Sequence, residues 1–159
     1  LGSNHDRITG KRDELSVSIY ERMEGHGRHQ KMMTRAVIGP IKTDLEFTLQ
    51  KENFSSRFAK IFGWNDTELG DHEFNEKFHL RSKQEDKIRL LFDQNLINQI
   101  KELESDFNGH LQLDNFKMVY VYQDKLQYEA MIKSFERVLD LMFTISDRIK
   151  QLKLPSQSY

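Results

Sequence analysis

The sequence has 159 residues, a net charge of −1, 31% charged and 37% hydrophobic residues, and no cysteine. That length suits one domain, and a charge so near zero sets up no global field for nucleic acid or an acidic membrane. The missing cysteines exclude disulfides, thiol catalysis, thiolate zinc sites and iron–sulfur clusters.

Residues 1–13 are polar and read as a tail and lead-in, with Leu1-Gly2-Ser3 resembling a processing remnant that leaves a domain excised from a longer protein. No run approaches the ~18 apolar residues of a membrane span, and nothing reads as a signal peptide. From Leu15 the chain alternates, with Leu15, Val17 and Ile19 against Ser16, Ser18 and Tyr20, which predicts a half-buried strand. Gly25-His26-Gly27 marks a turn. A second strand is expected over about 30–38, ended by Gly39-Pro40, and a third over 45–50, so that residues 15–50 read as an antiparallel three-stranded meander.

Asn53 opens an expected short helix with Phe54, Phe58, Ile61 and Phe62 on one face and Gly63 as its C-terminal cap. Trp64 then anchors the loop that follows. By composition, residues 65–71 form an acidic loop leading to a strand over about 77–82. Helices are predicted over 85–92 and, capped by Asp93, over 94–105, with Leu96, Ile97, Ile100 and Leu103 inward. Asn108-Gly109 signals a turn, followed by strands over 110–114 and 116–122 with Asp114-Asn115 between them. From Tyr128 the apolar residues Met131, Ile132, Phe135, Val138, Leu139, Met142, Ile145, Ile149 and Leu152 recur at steps of one, three or four, predicting a long amphipathic helix stopped by Pro155. The expected class is α+β: an antiparallel sheet, in the order βββ-α-β-α-ββ-α, covered by that helix within a single domain over 14–154, with 155–159 as a tail.

Two groups of polar residues invite a chemical reading. His26 and His29, three apart at a hairpin tip, supply half of a tetrahedral shell, and Asp71, His72 and Glu73 are dense in ligand atoms. These five are the metal candidates; solvated polar side chains are the plainer reading. Arg22, Arg28, Lys31 and Arg35 form a small basic patch on the first hairpin, either a charged strand edge that resists aggregation or a contact for acidic lipid or nucleic acid. Tyr20 is the lone aromatic nearby, so a stacking platform for nucleic acid is poorly supported. No nucleophile elbow, dinucleotide fingerprint or P-loop occurs, and no catalytic or cofactor-binding residue is assigned.

The layout resembles an uncharacterised bacterial family of membrane-associated proteins. The residues that carry the resemblance are Ile8-Thr9-Gly10-Lys11-Arg12 before the strand from Leu15, Met33-Thr34-Arg35-Ala36-Val37, the run Leu69-Gly70-Asp71-His72-Glu73-Phe74, and Ile88-Arg89-Leu90-Leu91-Phe92. The resemblance spans most of residues 8–152 and implies a soluble domain that follows membrane helices, on the cytoplasmic side; it implies no activity. The leading expectation is therefore a non-catalytic interaction or scaffold domain with a protein partner, and a homodimer contact through the C-terminal helix, where Leu141 and Phe143 widen the apolar stripe. The alternatives are a metal- or small-molecule-dependent enzyme using the acidic loop 66–76, and an acidic-lipid or nucleic-acid contact through the first hairpin.

Overall fold

A computed structural model describes residues 7–52, 64 and 66–152. Seven strands form one antiparallel sheet: β1 (Arg7–Arg12), β2 (Leu15–Glu24), β3 (Lys31–Gly39), β4 (Phe47–Lys51), β5 (Phe78–Ser82), β6 (Gly109–Asp114) and β7 (Lys117–Tyr122). Among the described residues, four α-helices accompany it: α1 (His72–Lys77), α2 (Glu85–Leu91), α3 (Gln94–Glu102) and α4 (Glu129–Gln151). Across the sheet the strands lie in the order β1-β2-β3-β7-β6-β4-β5.

Successive residues of a strand point to opposite faces, so the register sorts the sequence into transverse rows. Ile8, Ile19, Ala36, Tyr120, Leu111, Leu49 and Leu80 form one row across all seven strands. The next row on the same face runs Gly10, Val17, Ile38, Met118, Leu113, Phe47, Ser82. The helices settle on this apolar face: Phe74, Ile88, Leu91, Leu96, Ile100, Phe135, Val138, Met142 and Ile145 join these strand residues in one buried cluster. The α+β class and the long C-terminal helix thus appear as the hydrophobic periodicity requires. Phe rings knit the layers together. Phe74 stacks on Phe78 at 5.3 Å, Phe78 meets Phe107 edge-on at 5.8 Å, and Phe107 contacts Tyr120 at 5.4 Å.

Local chemistry explains the element ends. Asp93 accepts a hydrogen bond from the Leu96 N–H at 2.9 Å and caps α3, as its sequence position suggests. At Gly109 a Cβ would stand 1.7 Å from the Val121 carbonyl oxygen, and φ is +152°, so only glycine lets β6 begin there. The β6–β7 turn uses Asn115 and Phe116, both at positive φ (49° and 63°), one residue beyond the expected Asp114-Asn115 pair. Two left-handed residues match the twist of the flanking strands.

Several expectations are corrected. The meander over 15–50 does not form, because β4 pairs with β5 and β6 while β3 pairs with β7. The β6–β7 hairpin inserts between β3 and β4, and the chain crosses its tip, where the Ile41 N–H donates to the Phe116 carbonyl at 2.6 Å. Met118, Tyr120 and Tyr122 on one face and Val121 on the other are all buried, so β7 fits the centre of the sheet better than its sequence neighbours do. The polar lead-in contains a strand, β1, which completes the meander with β2 and β3. Helix α1 follows the acidic loop, between residue 71 and β5, where no helix is expected. The helix expected over 53–63 lies outside the described residues.

Candidate functional site

The acidic segment is organised from its cap outward. Asp71 accepts from the Phe74 N–H at 2.9 Å and so starts α1, while the Asn75 side chain grips both backbone groups of Leu69. The second oxygen of Asp71 accepts from Gln94 and from the Lys101 ammonium, each at 2.9 Å. Lys101 also reaches Glu73 at 3.1 Å, Glu73 accepts from Lys77 at 2.8 Å, and Lys77 continues to Glu104 at 2.9 Å. The result is a chain of alternating charge that ties α1 to α3 and to the turn after it. The Gln94 hydrogen bond, the Phe74 N–H and Lys101 together hold the Asp71 carboxyl down at about 2.

Of the metal candidates in this segment, Asp71 and Glu73 converge, but on the Lys101 ammonium. His72 stands exposed on the other side of α1, 3.1 Å from Glu76. His26 precedes and His29 ends an exposed 3₁₀ turn (Gly27–His29). Among the described residues, no three His, Asp or Glu side chains are placed to hold a metal ion.

Because Asp71 sits below its ordinary value, its charge-linked contribution is complete above about pH 4 and disappears as pH falls through about 2. Lys101→Met should therefore lower stability at pH 7. Urea unfolding of both proteins at pH 7 and again near pH 2 checks this: the difference should be present at the first pH and much smaller at the second.

The basic patch divides in the folded chain. Arg35 is half-buried and donates to Glu24 through Nε at 2.6 Å and through a terminal guanidinium nitrogen. Arg22, Arg28 and Lys31 are exposed. The first two therefore remain open to solvent beside Lys31, whereas Arg35 is committed to the sheet.

Arg35 belongs to a polar row on the face away from the helices: Arg7, Tyr20, Arg35, Val121, His110, Gln50 and His79. The Arg7 guanidinium lies 4.6 Å over the Tyr20 ring. His110 is buried at 6% exposure, and burial, followed by the Arg35 charge, lowers its pKa to about 4 although Glu24 opposes this. Spacing along the chain hides this group, since its members come from seven strands; strand register is the signal that would have revealed it.

A groove of about 380 Å³ lies between the β1–β2 turn, the chain after β3 and the last turns of α4. Leu15, Ile41, Phe143 and Ile149 line it together with Arg12 and Lys150. Arg12 packs its guanidinium 4.5 Å over the Phe143 ring. Leu141 and Phe143, the residues that widened the α4 stripe, are buried within the chain, which leaves Tyr128, Ile132 and Leu152 as the exposed large apolar residues of that helix and its caps.

Other ionised groups serve the fold. Asp106, 10% exposed at its side chain, accepts from Ser134 at 2.8 Å and Arg137 at 2.7 Å, which fixes α4 to the turn after α3. Lys87 pairs with Asp44 at 2.8 Å and Arg148 with Asp93 at 2.8 Å. Trp64 is buried, with the Lys83 ammonium 5.7 Å from its ring.

No protein-family model, curated protein or solved structure matches this chain. Among the described residues, no helix is long and apolar enough to cross a membrane.

Proposed function

We propose that this domain is a non-catalytic interaction or scaffold module of a bacterial membrane-associated protein, held at the cytoplasmic side by segments outside this sequence, with another protein as its partner. The observation that carries the reading is the use made of its charges. The Asp71–Lys101–Glu73–Lys77–Glu104 chain, the Asp106–Arg137 pair and the Asp93–Arg148 pair each join one element to another. Groups committed in this way fix a rigid platform and are not poised to exchange protons with a substrate. The bacterial and membrane assignments rest on the family resemblance alone. A homodimer through α4 would use Tyr128 and Ile132, and a net charge of −1 makes nucleic acid a poor partner.

A second reading, small-molecule binding, is favoured by the groove beside Phe143, whose volume falls in the range of ligand pockets. Thermal unfolding in the presence of metals, nucleotides, common metabolites and lipid head groups separates the two. A ligand at ~100 times its dissociation constant adds about 2.7 kcal/mol, which raises the melting temperature by several degrees, on the order of 2–8 °C, for a domain of this size. The module reading expects no such shift; a reproducible one with a metabolite or metal overturns it.

A further inference from the structure

We propose that β1 is a docking edge for an acidic, extended segment of a partner protein, which adds to the sheet as an eighth strand. The inference rests on the interaction-module reading and names the chemistry of its partner.

The two edges of the sheet differ. At β5 the outer side is occupied: Asp66 forms a bridge with Arg81, and the Thr67 N–H donates to the Leu80 carbonyl at 2.7 Å. At the other end, among the described residues, β1 pairs with β2 alone, and all six of its residues are exposed. A regular strand with one free side presents a row of backbone donors and acceptors that an incoming strand can satisfy.

Side chains decide which strand fits. Arg7 and Lys11 project on the outer face, and Arg12 with Ile8 on the helix-bearing face. Ile8 is 68% exposed although it ends the apolar row that is otherwise carried into the core. The edge therefore offers Arg7 and Lys11 as cations on the outer face, Arg12 already stacked on Phe143 and paired with Asp140, and one uncovered aliphatic side chain. A second copy of the chain suits it poorly. In the antiparallel register centred on Thr9, Arg7 falls opposite Lys11 in both halves of the pair, and like charges directly opposed are destabilising. An antiparallel partner reading Glu-Glu-Thr-Thr-Val-Glu instead sets carboxylates against Arg12, Lys11 and Arg7 and a valine against Ile8.

The test uses that peptide, extended by two threonines at each end and fluorescently labelled, with the full chain, read by anisotropy. Saturable binding is expected, at least tenfold weaker for a peptide with lysine in place of glutamate. Two further peptides carry N-methyl groups on alternate backbone nitrogens. Methylation in the alternation that faces β1 should abolish binding, and methylation in the other should preserve it. Lys11→Glu should weaken binding of the acidic peptide at least tenfold while the melting temperature stays unchanged. The proposal is overturned by absence of binding, by equal binding of both methylated peptides, or by a dimer that excludes the peptide and assigns the edge to a second copy. Failure here leaves the thermal screen to judge the module reading separately, since that reading falls only to a specific metabolite or metal.

Discussion

Phe135→Ala should remove about 3–5 kcal/mol of stability, the usual cost of emptying a fully buried aromatic site. Phe135 is 2% exposed and is the point where α4 meets the central strand: its ring lies 5.7 Å from Tyr120 and 6.0 Å, edge-on, from Tyr122. Both tyrosines are themselves buried, and the Tyr120 hydroxyl accepts the Asn108 N–H at 3.0 Å, so the cavity cannot close by a simple rotation of either ring. A domain whose whole stability is about 5–15 kcal/mol would be left marginal. Urea denaturation followed by near-ultraviolet dichroism measures the loss, and Phe135→Leu, which keeps most of the apolar volume, should lose clearly less. A cost below about 1 kcal/mol for the alanine variant would mean that α4 does not pack on β7 as described.

His110 should make stability depend on pH through the mildly acid range. Burial lowers its pKa from 6.5 to about 4, and the neighbouring Arg35 charge acts in the same direction. The folded chain therefore holds a neutral imidazole, while the unfolded chain takes up a proton once pH falls below about 6.5. The stabilisation is complete above that value, declines as pH falls, and is fully lost below about 4, at a total cost of about 3 kcal/mol. Urea unfolding at pH 7.5 and pH 4 reads the change in wild type. His110→Gln, which cannot ionise, should flatten that part of the curve, leaving the carboxylate contributions such as that of Asp71. Equal slopes in the two proteins would show that another group titrates.

Much of the architecture was legible in the chain because burial imposes a period. The steps of three and four from Met131 to Ile149 locate α4 to within a residue or two, and Asp93 before Leu96 and Ile97 places the start of α3. Pairing was not legible. Leu45 to Gln50 has the same alternation as β2 and β3, yet nothing in a period of two says which strand lies beside which; the fully apolar character of Met118 to Tyr122 was the one hint that a distant hairpin takes the central place. Arg7–Arg12 escaped because a strand exposed on both faces needs no alternation. The site suffered for a related reason. Asp71-His72-Glu73 looks like a ligand cluster in one dimension, but a helix turns the middle residue away, and the cation that meets the other two is Lys101, thirty residues further on.

The insertion of β6–β7 has a mechanical consequence. Among the described residues, the β3–β7 ladder alone joins the leaf β1-β2-β3, drawn from residues 7–39, to strands drawn from residues 47–122. Helix α4 straps the seam: Phe135 grips β7, while Asp140 reaches Arg12 at 3.6 Å and Lys150 reaches Glu14 at 3.7 Å on the leaf. Ala36 and Ile38 of β3 are fully buried in the common core, so the leaf is anchored to the rest of the fold along that one seam. A strand seated on β1 would lie across β2 and β3 from that seam, and the pairs Arg12–Asp140 and Lys150–Glu14 are the contacts that bring this end of the sheet to the C-terminal helix.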